Sequence, residues 1–114
     1  MTRNISRLGR PEYAGAMEFR FFEVDITNYD ADANGDGESF DETDAGMSRF
    51  QDVECEVVPN GGSGAANVVN AVAQYDYENS AIRLYYGGVD GGSLSEVTSN
   101  ADEGAVVRVK AIGR

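Results

Sequence analysis

The sequence contains no histidine, no tryptophan, one cysteine and one lysine among its 114 residues. Without histidine, the nucleophile–base pairs that most hydrolases use cannot form. The single cysteine, Cys55, cannot form an internal disulfide, and its place between Val53 and Val57 is typical of a small buried apolar residue. Carboxylate pairs remain, but nothing singles out one pair among twenty acids. We therefore expect that the protein is not an enzyme.

Long apolar runs are also absent. No stretch approaches the roughly 20 apolar residues of a membrane-spanning helix, so we expect no membrane partner. The first ten residues lack the apolar centre of a secretory signal peptide. A chain of 114 residues has the length of one domain, and such a domain buries roughly two-thirds of its unfolded surface.

Positive charge is scarce. Twenty acids face nine bases, which gives a net charge of −11, and Lys110 is the only lysine. Such an excess of acid destabilises a compact chain by self-repulsion, but at about 1 M salt the Debye length shrinks to about 3 Å and the repulsion fades. This composition is typical of haloarchaeal proteins, with an ordinary acidic protein as the alternative. Nucleic acid is not an expected partner, because phosphate contact requires a basic surface.

Short alternating apolar runs, separated by Gly-rich or Asp-rich turns, predict an all-β fold. We expect a single antiparallel β-sandwich or jelly-roll-like domain over residues 1–114, with six to eight strands and one short helix. The expected strands are Ile5–Arg10, Met17–Ile26, Phe50–Val58, Val68–Tyr77, Ala81–Tyr86, Leu94–Val97 and Ala105–Ile112. Residues 1–11 are alternatively a basic N-terminal arm that ends at Pro11.

Two local patterns refine this prediction. In Met17–Ile26 the apolar residues change phase after Phe21, which indicates either a β-bulge or a strand buried on both faces. The segment Ser39–Glu42 has the form of a capping box, and Gly46 is a suitable stop, so we expect the helix at Phe40–Ala45.

An acidic loop is the sharpest local motif. Calcium loops place oxygen ligands at positions 1, 3, 5, 7, 9 and 12, with glycine at position 6. Here Gly35 occupies position 6, and the ligand positions hold Asp30, Asp32, Asn34, Asp36, Glu38 and Asp41. The preceding segment is predicted to be a strand rather than a helix, and position 12 is not the usual glutamate. The loop is therefore either a Ca²⁺ site or plain acidic surface, and no other cofactor is expected.

The bases concentrate at the two ends of the chain. Residues 11–107 hold three bases and all twenty acids, a net charge of −17. Such segregation would let the ends dock on an acidic partner while the middle faces solvent. The candidate partner-contact residues are Arg3, Arg7, Arg10, Arg108, Lys110 and Arg114.

Four tyrosines lie in the predicted hairpin of the second half: Tyr75, Tyr77, Tyr85 and Tyr86. Aromatic residues paired across strands stabilise a sheet, and tyrosine is also common at interfaces. We expect packing within the sheet to be their main role. A carbohydrate-binding platform is the alternative, although it lacks tryptophan.

Several segments together resemble a family of small tailed-phage structural proteins. The resemblance extends from about Ile5 to Gly113 and is one of strand and turn patterns. It is carried by Leu8–Pro11, Gly37–Phe40, Ala45–Met47, Ala73–Asn79, Ile82–Tyr86, Leu94–Val97 and Val106–Gly113. The extra acids depart from that family and fit a virus of a haloarchaeal host.

The resemblance implies a virion component, and its expected role is that of a head decoration, or cement, protein. It would bind the major capsid protein non-covalently on the capsid surface after synthesis in the host cytoplasm. A homotrimer is expected, because icosahedral shells offer local three-fold sites. The alternatives are a head–tail connector or tail component of the same virion, and a calcium-dependent adhesion domain that uses the acidic loop.

Overall fold

Two antiparallel β-sheets and one short helix form the protein in a computed structural model, which describes residues 3–26, 37–58, 72–86, 95–96 and 105–114. The all-β, sandwich-like prediction is confirmed. One hydrophobic core contains buried residues from both sheets.

The first sheet has five strands. They are β1 (Arg3–Arg7), β2 (Glu12–Ala14), β3 (Met17–Ile26), β5 (Phe50–Val57) and β9 (Ala105–Gly113). Their order is β1–β3–β9–β5, and β2 pairs with the beginning of β3. The last strand of the chain therefore lies inside the sheet, hydrogen-bonded on both sides.

The second sheet has four strands. They are β4 (Glu38–Ser39), β6 (Val72–Asp76), β7 (Ala81–Tyr86) and β8 (Ser95–Glu96), with β7 paired to all of the others. The predicted hairpin is confirmed as β6 and β7, whereas residues 68–71 of its first strand lie outside the described residues. Seven strands of the described residues have three or more residues, and β4 and β8 have two each.

The core lies between the two sheets. Residues that pair across neighbouring strands point to the same face of a sheet, so pairs of buried residues mark the face that covers the core. In the first sheet, Phe22 pairs with Val109 and Val24 with Val107, and all four are buried. Ile82 and Leu84 of β7 are fully buried on the second sheet. Each fully buried side chain of this size stabilises the fold by about 1.5–3 kcal/mol.

The phase change in β3 is not a bulge. Its register with β9 is continuous from Glu18 to Ile26, so the bulge alternative is wrong. Phe19 and Phe21 simply point to the outer face of the sheet, where they remain half-buried. The irregularity lies instead in β5, where the register with β9 shifts between Phe50 and Asp52.

The helix, α1 (Glu42–Ala45), begins two residues later than predicted. The capping box is formed by Asp41 and Asp44, each of which accepts a hydrogen bond from the other's backbone N–H at 2.9–3.0 Å. Phe40 cannot join the helix because its side chain is fully buried and its N–H donates to the Ser80 carbonyl. Gly46 ends the helix in the left-handed conformation, as predicted.

The N-terminal segment is an edge strand rather than a free arm over Arg3–Arg7. All five residues pair with the second half of β3, from Arg3 opposite Ile26 to Arg7 opposite Phe22. Beyond Pro11, β2 continues along the same side of β3. Pro11 thus separates two short edge strands, and the second of these was not predicted.

Candidate binding surface

An open groove of about 490 Å³ crosses the outer face of the five-stranded sheet. The register of the strands determines which side chains point outward into the groove. Phe21 of β3, Lys110 of β9 and Glu54 of β5 lie side by side there. Arg108 and Glu56 pair one step along the strands. Leu8, which is 36% exposed, lines the end of the groove beside β3.

Leu8 is fixed to this face by the backbone. Its N–H donates a hydrogen bond of 2.7 Å to the carbonyl of Phe21, immediately after the last paired residue of β1. Two apolar side chains from the N-terminal half therefore lie beside two bases of β9. The structure thus brings the end of the predicted arm and the C-terminal bases Arg108 and Lys110 to one groove.

The charges of the groove alternate in sign. Lys110 Nζ lies 2.8 Å from Glu54 Oε2, and Arg108 is in register with Glu23 on one side and Glu56 on the other. The Lys110 and Glu54 side chains are 40% and 56% exposed, and such exposed pairs contribute about 0–1 kcal/mol to stability. These charges contribute little to folding, and a partner could rearrange them at low cost.

The other predicted contact residues do not share this surface. Arg7 points to the opposite face because it pairs with the buried Phe22. Arg10 is exposed in the turn before Pro11. The backbone of Arg114 bonds with that of Arg49, and Arg3 is in register with Ile26 at the sheet edge. Arg7, Arg10 and Arg114 therefore do not line the groove with Arg108 and Lys110, and contact of the six bases with a partner stays a prediction.

The acidic loop falls mostly outside the described residues, which include neither Asp30, Asp32, Asn34 nor Asp36. Glu38 is only 4% exposed and pairs with Ile82 in the second sheet. Asp41 caps α1. Within the part of the chain that the structure describes, no group of three or more acidic or cysteine side chains is placed to hold a metal ion.

The hairpin tyrosines with described contacts hold the two sheets together. The Tyr75 hydroxyl donates a 2.6 Å hydrogen bond to the Phe40 carbonyl, and burial raises the pKa of Tyr75 to about 12. The Tyr77 hydroxyl accepts a hydrogen bond from Val53 N–H at 2.9 Å and donates one to Asp52 at 2.8 Å. Tyr77 thereby covers part of the outer edge of β5.

An aromatic chain continues from these tyrosines into the core. Neighbouring rings are 5.0–6.1 Å apart along the series Phe22, Phe40, Phe50, Tyr75 and Tyr77. Offset and edge-to-face ring pairs contribute about 0.5–1.5 kcal/mol each beyond their buried area. Packing is thus the role of Tyr75 and Tyr77, whereas the side chain of Tyr86 lies outside the described residues.

Cys55 faces the core from β5, beside Val53 and Val57. Burial raises the pKa of its thiol to about 12. Because the thiolate is the nucleophilic form, this cysteine is a poor nucleophile at neutral pH.

The groove was predicted only in part. Arg108 and Lys110 were candidate contact residues, but Leu8 and Phe21 were not. The signal for Phe21 was present in the odd-numbered apolar run Met17, Phe19 and Phe21, which places large side chains on the outer face of β3. Leu8 carried no comparable signal, because only pairing to β3 brings it beside Phe21.

The chain matches no family model, no curated protein and no solved structure. Among the described residues, no helix is both long and apolar enough to span a membrane. Any assignment of function therefore depends on the groove and on the sequence patterns.

Proposed function

We propose that the protein is a capsid decoration protein of a haloarchaeal tailed virus and that its outer-face groove contacts the major capsid protein. The observation that carries the proposal is the convergence of Leu8, Phe21, Arg108 and Lys110 in one groove. An apolar floor with charged walls is the usual arrangement of a protein-binding surface, in which the buried centre is apolar and the rim polar.

Binding would be non-covalent. A protein that binds the assembled shell but not its free subunits stabilises the shell by mass action. In concentrated salt, long-range attraction is screened, so only short ion pairs beside an apolar contact remain effective. The alternating charges around Phe21 suit this regime, because each base and acid can exchange its intramolecular partner for one on the shell.

The decoration proposal includes a homotrimer on the local three-fold positions of the shell. Cyclic symmetry lets one copy of the groove face each of three equivalent shell subunits. Sedimentation of the purified protein tests this state, and a monomer at micromolar concentration would contradict it.

The test of shell binding adds purified protein to capsids stripped of it and measures occupancy. Leu8→Glu places a charge at the apolar end of the groove and should lower the affinity about tenfold, or about 1.4 kcal/mol. Tyr13→Glu is the matched control, because Tyr13 is 70% exposed and does not line the groove. Point variants are preferable to deletion of residues 2–10, which would remove β1.

Two results would contradict the proposal. If the unaltered protein does not bind shells but binds tails or connectors, it is another component of the virion. If Leu8→Glu and Tyr13→Glu bind shells equally well, the protein is a decoration protein that uses a different surface.

The haloarchaeal part of the proposal has its own test. Twenty carboxylates against nine bases should make the isolated fold less stable in dilute buffer than in molar potassium chloride. Thermal melts across a range of potassium chloride concentrations measure this dependence. A melting temperature that stays constant or falls as salt increases would contradict the haloarchaeal proposal and favour an ordinary acidic protein.

A further inference from the structure

The outer edge of β5 is one of the two edges of the five-stranded sheet. β5 is the last strand in the order β1–β3–β9–β5, and among the described residues no strand pairs with its other side. Val58, directly after β5, donates its N–H to the Val106 carbonyl of β9. Because bonded and non-bonded positions alternate along an antiparallel pair, the backbone N–H and C=O groups of Val53, Cys55 and Val57 point away from β9. Such an edge can pair with a strand of another chain.

A side chain from the end of β6 occupies this edge. β6 packs against β5 without pairing with it, and Tyr77 directly follows β6. The Tyr77 hydroxyl accepts a 2.9 Å hydrogen bond from Val53 N–H and lies 3.3 Å from the Val53 carbonyl oxygen. A residue of an added strand would bond with the same N–H and C=O groups. Tyr77 therefore lies where the backbone of a neighbouring strand would lie.

Hydrogen bonds and one ring contact hold Tyr77 in this position. Its hydroxyl donates to Asp52 Oδ1 at 2.8 Å, and its ring meets the ring of Tyr75 edge-on, with the centroids 5.0 Å apart. The residue is nevertheless 56% exposed and is not part of the hydrophobic core. Loss of the hydroxyl alone would therefore open the edge of β5 and leave the core intact.

Charge gives this edge little protection. Charged side chains commonly keep edge strands from pairing with each other. Here Lys110 Nζ lies 2.8 Å from Glu54 Oε2, and Arg108 is in register with Glu56, so bases lie beside these acids. Screening at about 1 M salt, where the Debye length is about 3 Å, weakens any repulsion that remains. The register with β9 is regular from Asp52 to Val57, so no bulge distorts the edge there either.

We propose that Tyr77 blocks pairing between β5 of one copy of the protein and β5 of a second copy. Two such edges are self-complementary, because an antiparallel pair with a two-fold axis at Cys55 places Val53 of each copy opposite Val57 of the other. With the hydroxyl in place, Val53 of neither copy can pair, and only the pair at Cys55 is left. This block acts in the free protein and does not depend on binding to a capsid.

Sedimentation velocity at rising protein concentration tests the block. Tyr77→Phe removes the hydroxyl and keeps the ring, and it should form a faster-sedimenting species that the unaltered protein does not form and whose share grows with concentration. Tyr75→Phe is the matched control, because it removes a hydroxyl of the same hairpin that bonds with the Phe40 carbonyl and not with β5. If Tyr77→Phe sediments like the unaltered protein, or if Tyr75→Phe associates equally, the proposal is overturned.

Hydrogen exchange of backbone amides, followed by NMR, identifies the surface that pairs. At low concentration the Val53 amide should exchange faster in Tyr77→Phe than in the unaltered protein, because it has lost its acceptor. At concentrations where Tyr77→Phe associates, exchange of the Cys55 and Val57 amides should slow, because their N–H groups then bond with the second copy. Association without slower exchange of these two amides would place the contact on another surface and overturn the proposal.

Discussion

Replacing Tyr75 by phenylalanine tests the contact between the β6–β7 hairpin and the core. The hydroxyl of Tyr75 donates a 2.6 Å hydrogen bond to the carbonyl of Phe40, whose side chain is fully buried between the sheets. Tyr75→Phe keeps the ring and removes the hydroxyl, with its hydrogen bond to the Phe40 carbonyl and its side-chain hydrogen bond with Ser80. A buried acceptor that loses its partner costs about 1–3 kcal/mol, so we expect a loss of stability in this range.

The same hydroxyl predicts a dependence on alkaline pH. Burial raises the pKa of Tyr75 from 10 to about 12 in the folded state. Between these values the unfolded chain loses the proton first, so the folded state binds more protons and its stability falls as pH rises. The slope cannot exceed about 1.4 kcal/mol per pH unit, and solvent screening at this half-buried site reduces it.

Urea unfolding at a series of pH values from neutral to 12 measures both effects. Tyr75→Phe should be less stable at pH 7, and the difference from the unaltered protein should shrink above pH 10. Tyr13→Phe is the control, because Tyr13 is 70% exposed and its side-chain hydrogen bond with Glu18 lies at the protein surface, so its loss should cost less than that of Tyr75. A Tyr75→Phe protein that is as stable as the unaltered one at pH 7 would refute the reasoning.

Two further changes have defined outcomes. A Cβ atom on Gly113 would collide with the backbone of Arg49, whereas at Gly15 (φ +63°) it would meet nothing within 4 Å. Gly113→Ala should therefore cost more than the roughly 1 kcal/mol expected for Gly15→Ala from its backbone conformation alone; equal losses in urea unfolding would contradict this. Because the thiol of Cys55 has a raised pKa of about 12, it should react slowly with Ellman's reagent at pH 8 and rapidly in urea. Rapid reaction without denaturant would show that the thiol is accessible.

The strands were predictable wherever apolar and polar residues alternate on a two-residue period. Met17–Ile26 and Ala81–Tyr86 have the predicted bounds, and the last strand ends one residue beyond the predicted Ile112. In such segments the local pattern and the tertiary burial agree. The short strands at Glu12–Ala14 and Glu38–Ser39 have no such pattern, because they depend on a neighbouring strand for their hydrogen bonds.

The errors arose where burial elsewhere in the fold decided the local conformation. Ser39 has the residue type of an N-cap, but it belongs to β4, and the next residue, Phe40, is buried in the core. The helix therefore begins later, and Asp41 is its N-cap. The phase change at Phe21 left a bulge and a strand buried on both faces as alternatives, and only the pairing of β3 with β9 decides for the second. In neither case does the sequence within ten residues contain the deciding contact.

The sequence can suggest single residues of the groove, but it does not predict that they lie together. Its assembly requires the order β1–β3–β9–β5, which places residue 8 beside residue 21 and residue 21 beside residue 110. Pairing between strands so distant along the chain is not encoded in any local period. The sequence singled out Arg108 and Lys110 as candidate contact residues, which stays a prediction, and only the fold shows which apolar side chains lie beside them.

The central position of β9 has a consequence for synthesis of the protein in the cell. Residues 105–113 are made after β3 and β5, and these two strands are joined in the sheet only through β9, which lies between them. Contacts between residues so far apart in sequence form slowly, because closure of a long loop precedes any gain from pairing. A nascent chain that has not yet released these residues from the ribosome must keep the apolar faces of β3 and β5 exposed. A chain cut short before residue 105 is therefore a natural substrate for chaperones and proteases, and only chains that extend through β9 can complete the five-stranded sheet.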